Sequence, residues 1–385
     1  MTGLAPRQTY PFALLANGNT VGNARLTTLP AALPTLGDKP FTVLLGTCFA
    51  YHEDQEGKVG NAFLHMPLSA NPEIKLFAGD QVYLDSPWYR YLVPHTADEL
   101  RNAFVEHYRN TWGQTDGFAR VLTEGANFVL SDDHEYWNNA PYFVAYASNT
   151  WTAGGRTEWF GIARELFNAF QTTQSITRFA VPPVSFLVAD TRINRDANRN
   201  RFMTAVDLGQ VRDWVNGLQG PGVLVIGQAL LQGPASFLRG TFSDWNLPDF
   251  AQYYDLVRIV GAAAHSLVIL TGDVHFGRVA HGQLPSGAEL IEIISSPLSL
   301  VDRTVQGTWV EAPALPVAPP TSGAPIPLSV MNTEEDFGPT DGHFLTLEFT
   351  RRGPGARLRL RYWPAFAGGV PPPDFGKTIF ERDLI

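Results

Sequence analysis

Two short acidic segments of this sequence carry residue types that hold metal ions in proteins. Asp80 follows an apolar run, and the phenol of Tyr83 comes three residues later. The segment Asp132-Asp133-His134-Glu135 places three carboxylates around one imidazole, and the amides Asn138 and Asn139 follow shortly after. Clustered carboxylates repel one another, so either a cation lies among them or some of them are protonated. Metal binding is therefore the chemistry that these segments favour.

A third segment and a lone thiol extend the set. Along an extended chain, alternate side chains point the same way, so we expect Asp273 and His275 to face one site together. The single cysteine of the chain, Cys48, also follows an apolar run. Taken singly, each feature has an ordinary alternative, because Gly-Asp pairs are common in turns and lone cysteines commonly pack in cores. Their shared position after apolar runs favours one common site.

Short apolar runs, each ending in polar residues, must position these side chains. Such runs suit strands buried on both faces. They are Thr42–Cys48, Ile74–Asp80, Asn127–Glu135, Val184–Asp190, Gly222–Gln228 and Ser266–Asp273. Strands that alternate with helices predict an α/β fold with parallel or mixed sheets, and ligands of such folds gather beyond the carboxyl ends of the strands.

Helical spacing fills the intervals between these runs. Thr96 and Glu99 form a capping-box pattern that predicts a helix start. The spacing predicts further helices over Trp159–Phe170, Leu208–Leu218 and Pro248–Ala264, the last with proline at its start.

The C-terminal part differs from the rest of the chain in composition and pattern. Residues 311–327 are rich in Pro and Ala, which indicates a long extended loop. Two alternating segments, His343–Phe349 and Arg357–Trp363, predict an antiparallel hairpin. We interpret residues 39–385 as one domain and residues 1–38 as an N-terminal extension whose structure the pattern does not indicate.

Composition narrows the class of protein. The chain has 385 residues, 44% hydrophobic and 17% charged, with a formal net charge of -9, which is typical of a folded globular protein and argues against a nucleic-acid partner. No apolar run approaches the roughly 18 residues that span a bilayer. No leader is visible at the N-terminus, so we expect a cytoplasmic protein, or a periplasmic or secreted one if a leader has been removed.

The order of these motifs resembles the alkaline phosphatase D (PhoD-like) family of the calcineurin-like metallophosphoesterases. That family has Asp for the Asn of the Asn-His-Asp/Glu motif, Asp for the first His of the Gly-His-x-His motif, and a cysteine in place of the first Asp-x-His motif. Asp133, Asp273 and Cys48 match these replacements. The resemblance runs from about Val43 to Ser299 and implies a metallophosphoesterase-type four-layer α/β/β/α sandwich with mixed sheets.

The resemblance also implies a ligand set for two metal ions. Asp80 would bridge both ions, and the full set of ligands would be Cys48, Asp80, Tyr83, Asp133, Asp273 and His275. Thiolate and phenolate suit Fe³⁺ in the first site, which holds Cys48 and Tyr83. The oxygen-rich second site suits Ca²⁺ (or Mn²⁺, Mg²⁺, Zn²⁺). The superfamily's third motif normally offers a histidine, and this chain has Gln228 instead.

The implied activity is hydrolysis of small-molecule phosphomonoesters, phosphodiesters or both, by in-line attack of a metal-bridging hydroxide. His134, polarised by Asp132 or Glu135, would protonate the leaving group. Asn138 or Asn139 would bind a metal or the substrate. The basic stretch that contains Arg192 could bind a substrate phosphate, and it could equally be a solvated loop paired with nearby acids.

Other functions stay open at this point. One is hydrolysis of a carboxylic ester or lactone on the same metal centre, and another is a catalytically silent metal- or phosphate-binding protein. A set of aromatic residues flanks the motifs and could stack on a leaving group or simply pack in the core. They are Trp88, Tyr89, Tyr91, Tyr136, Trp137, Tyr142 and Trp151.

Overall fold

Two β-sheets packed face to face form the centre of the molecule. The structure is a computed structural model that describes residues 3–54, 57–113, 117–123, 125–236, 240, 244–299, 311–313, 332–336 and 342–385. The strands are β1 (Thr9–Ala16), β2 (Asn19–Thr27), β3 (Phe41–Gly46), β4 (Ile74–Ala78), β5 (Ala126–Leu130), β6 (Ile176–Val181), β7 (Val184–Ala189), β8 (Gly222–Gln228), β9 (Leu267–Gly272), β10 (Arg278–Gln283), β11 (Glu289–Ile294), β12 (Asn332–Asp336), β13 (His343–Arg352), β14 (Gly355–Pro364) and β15 (Lys377–Leu384).

Both sheets combine parallel and antiparallel strands. The six-stranded sheet has the order β15-β14-β13-β3-β4-β5, in which β3, β4 and β5 are parallel and β13 runs antiparallel to β3. The seven-stranded sheet has the order β12-β10-β11-β9-β8-β7-β6, in which β7, β8, β9 and β11 are parallel. The parallel strands of both sheets are the ones that lead into the predicted site residues.

The inner faces of the two sheets share one apolar core. Val43 and Leu76 from the six-stranded sheet and Val225 and Leu270 from the seven-stranded sheet belong to the same buried cluster. Each of these strands is buried along its whole length, which explains why they are continuous apolar runs.

Helices cover the outer faces. They are α1 (Lys58–His65), α2 (Ala97–Gly113), α3 (Phe118–Leu122), α4 (Ala153–Phe170), α5 (Ala205–Asn216) and α6 (Tyr253–Gly261), and the short 3-10 turns are Leu68–Ala70, Trp88–Tyr91, Asp133–Glu135, Ser148–Trp151 and Leu247–Asp249. The helices α1 and α3 share a core with the six-stranded sheet, and α5 and α6 share one with the seven-stranded sheet. The architecture is therefore the expected four-layer α/β/β/α sandwich with mixed sheets.

Most of the predicted elements are present, with shifted ends. The Thr96–Glu99 capping box is formed, since the Glu99 carboxylate accepts the Thr96 N–H at 2.8 Å. The helix predicted over Pro248–Ala264 is wrong at its start. Pro248 lies in a 3-10 turn that Asn246 and Asp249 cap reciprocally, and extended backbone at Phe250 ends that turn before α6 begins.

The C-terminal hairpin is confirmed as β13 and β14, paired from His343 to Arg352. The proposed long loop, residues 311–327, lies outside the described residues except at 311–313. Within the predicted extension, β1 and β2 form an antiparallel hairpin with mostly exposed side chains. Among the helices that the structure describes, none is both long and apolar enough to cross a membrane.

Candidate metal centre

The carboxyl ends of five parallel strands, taken from both sheets, meet at one edge of the sandwich. In the six-stranded sheet, Cys48 lies two residues beyond β3, Asp80 two beyond β4, and Asp132 two beyond β5. In the seven-stranded sheet, Gln228 ends β8 and Asp273 directly follows β9. This is the edge at which α/β folds bind ligands, and here it collects the acidic motifs.

Four aspartates form the heart of the site. One carboxylate oxygen from each of Asp80, Asp132, Asp133 and Asp273 lies within 4.8 Å of the others. Burial raises the pKa of Asp80 well above its usual value, and the charges of Cys48 and Asp133 raise it further. Burial and then the charge of Asp132 do the same to the pKa of Asp273. Both shifts have the direction expected of carboxyl groups crowded together with no cation between them.

Cys48 lies directly against this carboxylate cluster. Its Sγ is fully buried and lies 3.5 Å from Asp80 Oδ2. Burial raises the pKa of the thiol to about 12, and the charge of Asp273 adds to the effect. Tyr83 packs against Cys48 in a small buried cluster, and its ring centroid is 4.1 Å from that of His134. The structure thus brings Cys48, Asp80 and Tyr83 together.

The Asp273-Val274-His275 segment forms a turn, so the expectation of an extended two-ligand clip is wrong. Asp273 and His275 both have positive φ, at 67° and 57°, and the Val274 N–H donates to the Gly272 carbonyl at 2.9 Å. The main-chain N–H of His275 donates to Ser296 Oγ, which lies 3.2 Å from Cys48 Sγ. His275 is therefore tied through Ser296 to the Cys48 side of the site.

Left-handed backbone is concentrated at this edge. Besides Asp273 and His275, positive φ occurs at Cys48 (57°), Asp80 (58°) and Asn139 (65°). Residues with a Cβ adopt this conformation at a cost, and such residues cluster at functional sites. Gly79, before Asp80, also has positive φ, and a Cβ there would lie 2.5 Å from Asp132 Cβ. Tight packing between neighbouring loops thus holds the ligand-bearing residues in place.

His134 is oriented by Asp85, a residue that the sequence reasoning missed. His134 Nδ1 lies 2.7 Å from Asp85 Oδ1. Asp85 Oδ2 also accepts the Asn138 N–H at 2.7 Å and the Tyr146 hydroxyl at 2.6 Å. Burial lowers the pKa of His134, but the charges of Asp85 and Asp133 outweigh it and hold this pKa well above its usual value. The Asp85 carboxylate thus favours the protonated form of the ring.

The expectation that Asp132 or Glu135 polarises His134 is therefore wrong. The Glu135 carboxylate is fully buried and accepts main-chain N–H groups of Asp80, Gln81 and Asp132 at 2.6–2.8 Å. It fixes the loop that carries Asp80. Asp132 Oδ1 instead accepts Arg192 Nε at 2.6 Å.

Arg192 lies inside the protein. Its guanidinium also donates to the Ala140 carbonyl and to both carboxylate oxygens of Asp244. A guanidinium so engaged fits charge compensation of the aspartates better than the expected contact with substrate phosphate. Burial raises the pKa of Asp244, but the charges of Arg192 and Arg195 outweigh burial and hold it below its usual value.

Gln228, the residue that stands where the resemblance implies a histidine, ends β8. Its Nε2 donates to Asp273 Oδ2 at 2.9 Å and to Asp244, and its Oε1 accepts Arg195 at 2.6 Å. The amide thereby connects Asp273 to the Asp244–Arg195 pair. Here Gln228 orients a carboxylate of the cluster.

The two amides predicted at the site differ in role. Asn138 donates its main-chain N–H to Asp85, as noted above. The Asn139 N–H donates to Asp133 Oδ2 at 2.7 Å, and its Nδ2 donates to the Gly240 carbonyl at 2.9 Å. Asn139 Oδ1 is buried and has no hydrogen-bond partner among the described residues. That oxygen is available to a ligand beside Asp133.

For three of the aromatic residues near the motifs, the structure favours packing in the core over stacking on a leaving group. Tyr91, Tyr136 and Trp137 are buried in the core around α2 and α4, so they pack instead of lining a site. Trp88, Tyr89 and Trp151 are more than half exposed. Tyr142 lines a cavity beside Asn139.

The residues of the cluster fit a bound cation. Asp132 Oδ2 and Asp133 Oδ1 are buried and lack hydrogen-bond partners within the described part of the chain, which is costly unless another group satisfies them. Carboxylate and amide oxygens suit hard cations, and thiolate and phenolate suit iron. Asp80, Asp133 and Asp273 belong both to this cluster and to the ligand set that the resemblance implies, whereas Asp132 is absent from that set.

Comparison with known proteins supports this resemblance at the level of fold. A solved structure of PhoD aligns with 96% of this chain and 79% of its own, at 14% sequence identity and a TM-score of 0.60. The chain shares its fold with PhoD. A purple acid phosphatase from yellow lupin (Lupinus luteus) seeds aligns over 95% of this chain and 59% of its own, at 14% identity and a TM-score of 0.49. No family model and no curated protein match this sequence.

Proposed function

We propose that this protein is a metal-dependent phosphoesterase with two metal ions at the aspartate cluster. One observation carries the proposal: four aspartates converge within 4.8 Å at the strand ends, and His134, oriented by Asp85, lies beside them with its main-chain N–H 3.2 Å from Asp80 Oδ1. The PhoD fold and the matching order of motifs support it. The substrate class is a small-molecule phosphomonoester or phosphodiester.

In this proposal Asp80 would help to hold both ions. Cys48, Tyr83 and His275 would hold the first, expected to be Fe³⁺. Asp133 and Asp273 would hold the second, expected to be Ca²⁺ (or Mn²⁺, Mg²⁺, Zn²⁺), and the unpartnered Asn139 Oδ1 would be available to join them. The ions would supply an activated water and would neutralise the charge of the phosphate.

The chain's own residues supply the proton. His134 Nδ1 is held by Asp85, which leaves Nε2 to protonate the departing alkoxide. The His134 side chain is 18% exposed, whereas the Asp85 side chain is 1% exposed. The imidazole is therefore accessible to a substrate, and its carboxylate partner is shielded from solvent. Arg192 and Gln228 hold Asp132 and Asp273 in position.

Hydrolysis assays test the proposal directly. We expect purified protein to hydrolyse 4-nitrophenyl phosphate or bis(4-nitrophenyl) phosphate, to lose activity in chelator, and to regain it with added metal. Parallel assays with 4-nitrophenyl acetate and a lactone measure the rival carboxylic-ester activity. Loss of turnover of an alkyl phosphate in His134→Asn, at unchanged metal content and with a much smaller loss on the 4-nitrophenyl ester, would assign the proton donor. Chelator-insensitive turnover, or activity on carboxylic esters alone, would refute the phosphoesterase assignment.

Metal analysis and a visible spectrum test the ion identities. Phenolate bound to Fe³⁺ absorbs visible light, so the proposed site predicts a coloured protein and loss of that band in Tyr83→Phe. Tyr89→Phe, an exposed tyrosine of the same loop region, is the matched control and should keep the band. A colourless active protein without iron would remove Fe³⁺ from the proposal.

A further inference from the structure

A cavity of about 290 Å³ shares one residue, Asn139, with the surroundings of the aspartate cluster. Among its lining residues are Asn139, Tyr142, Phe143, Arg156, Arg199 and Trp245. The main-chain N–H of Asn139 donates to Asp133 Oδ2, so this residue links the cavity to the candidate metal centre. A substrate whose phosphate lies at the cluster could therefore extend its leaving group into this cavity, which we call the arginine pocket.

The arginine pocket carries two positive charges in a protein of net charge -9. Neither Arg156 nor Arg199 forms an ion pair within 4.0 Å with any described carboxylate, in contrast to the nearby Arg192. The charge of Arg199 acts on Asp249, but Asp249 Oδ2 accepts the main-chain N–H groups of Ala235 and Asn246. The two guanidiniums thus retain donors for an anion.

Both arginines are held in place. Arg156 extends from α4, and its Nη1 donates to the Thr150 carbonyl at 2.7 Å. The guanidinium of Arg199 lies 4.1 Å from the ring centroid of Trp245, and Gly240 allows that indole to pack closely. A guanidinium fixed on an aromatic face loses little freedom when it binds an anion.

The lining also has an apolar part. Phe143 is 52% exposed and offers a face for a ring or alkyl group. Asn139, another lining residue, has a buried Oδ1 without a hydrogen-bond partner in the described structure. The described lining therefore combines an amide, an aromatic face and two cations.

We propose that the arginine pocket binds the leaving group of the substrate and selects leaving groups that carry a second anionic group. This inference rests on the proposed phosphoesterase function for its placement of the substrate. The natural ester would then be one whose alcohol carries a carboxylate or a further phosphate.

A matched pair of esters tests the proposal. The phosphate monoester of 3-(4-hydroxyphenyl)propanoic acid and that of its amide differ by one charge, and the two-carbon spacer keeps the leaving-group phenols nearly equal in pKa. We expect kcat/KM to favour the acid over the amide by about tenfold, as one charge-assisted contact provides. In Arg156→Gln and Arg199→Gln this ratio should fall toward one, and Arg199→Lys should restore part of it.

Arg164→Gln is the matched control. Arg164 is an exposed arginine of α4, outside the pocket, and its loss changes net charge equally, so both rates and their ratio should stay as in the wild type. A wild-type ratio near one, or a ratio unchanged in both pocket variants, would overturn the proposal while leaving the phosphoesterase assignment intact.

Calorimetry separates the two claims. In chelator, 3-phenylpropanoate should bind the wild-type protein more tightly than 3-phenylpropanamide, and Arg199→Gln should abolish the difference. If neither ester is hydrolysed by metal-loaded protein yet this difference is present, the phosphoesterase assignment fails and the pocket is supported. Equal binding of acid and amide counts against the pocket.

Discussion

Asp85 provides the sharpest test of how this site would work. It does not touch the aspartate cluster in any described contact, yet its carboxylate accepts hydrogen bonds from His134, Asn138 and Tyr146. In Asp85→Asn the side-chain shape is preserved and the charge that faces His134 is lost. Asp85 would act as a positioning residue, because its effect on the reaction passes through the imidazole.

The size of the effect follows from that contact. A hydrogen bond to a charged group contributes about 1.5–3 kcal/mol, and a factor of ten corresponds to about 1.4 kcal/mol. If the contact is fully used when His134 protonates the leaving group, kcat for a phosphate ester of a simple alcohol should fall about 10- to 150-fold. A 4-nitrophenyl ester needs little protonation, so its kcat should fall only about threefold or less.

The assay compares kcat for both esters in wild type and Asp85→Asn, with metal content and melting temperature measured on the same samples. Tyr146→Phe is the control: it removes one hydrogen bond to Asp85 and leaves the His134 contact, so the alkyl-ester effect should be smaller than in Asp85→Asn. Equal losses on both esters would show that Asp85 acts on the fold or the metals, and the proton-donor role of His134 would be refuted.

Two further predictions concern stability. Arg278→Met should destabilise the protein by about 3–5 kcal/mol in urea unfolding, because it leaves the buried Glu292 carboxylate, which lies 2.7 Å from Arg278, without its cationic partner. Arg258→Met breaks the exposed pair with Asp255 and should cost under about 1 kcal/mol. Similar losses of stability in both variants would contradict the burial argument. Burial lowers the pKa of His107 from 6.5 to about 4, so the unfolded chain takes up a proton first as pH falls from 6.5 toward 4. Over this window the free energy of unfolding of the wild type should fall by up to about 3 kcal/mol more than that of His107→Phe. Parallel curves of stability against pH for the two proteins would refute this prediction.

The strands were predictable because burial on both faces leaves a direct mark on the sequence. Every run chosen from Thr42 to Asp273 contains a strand of the central sheets. The positions of Cys48, Asp80 and Asp133 followed, since parallel strand ends must share an edge. The resemblance of the motifs to a known family extended the prediction from the strands to the helices on both faces of the sandwich.

What the sequence did not reveal depends on loop conformation. Asp85 and His134 are 49 residues apart and meet through two irregular loops joined by the Leu84 N–H and the His134 carbonyl at 3.0 Å. The sequence shows that Asp85 follows Tyr83 by two residues, but nothing in the sequence shows that Asp85 meets His134. The turn at Val274 escaped prediction because positive φ at Asp273 and His275 has no signature without glycine.

A last prediction concerns the conflict between folding and metal binding at the aspartate cluster. Four carboxylates within 4.8 Å oppose folding in the absence of a cation, because on folding Asp80 and Asp273 must either keep their charge beside the others or take up a proton. Two unit charges at that distance would repel by roughly 3 kcal/mol at an effective dielectric constant of 20. Asp273→Asn removes one ionisable group and therefore that cost, and its remaining oxygen can still accept Gln228 Nε2. In chelator the variant should therefore melt above the wild type.

With metal present the order should reverse. A metal that binds only the folded state stabilises it by an amount that grows with the logarithm of its affinity, and Asp273→Asn lowers that affinity by removing a charged ligand. Thermal melts of both proteins, in chelator and with saturating metal, measure the two differences, and Asp213→Asn, an exposed acid on α5, serves as the control that should move little in either condition. If Asp273→Asn melts above the wild type in chelator and below it with metal, the cluster binds a cation and destabilises the metal-free fold. A variant that melts below the wild type in both conditions would mean that Asp273 serves the fold itself, through Gln228, and the cluster would lose its claim to be a metal centre.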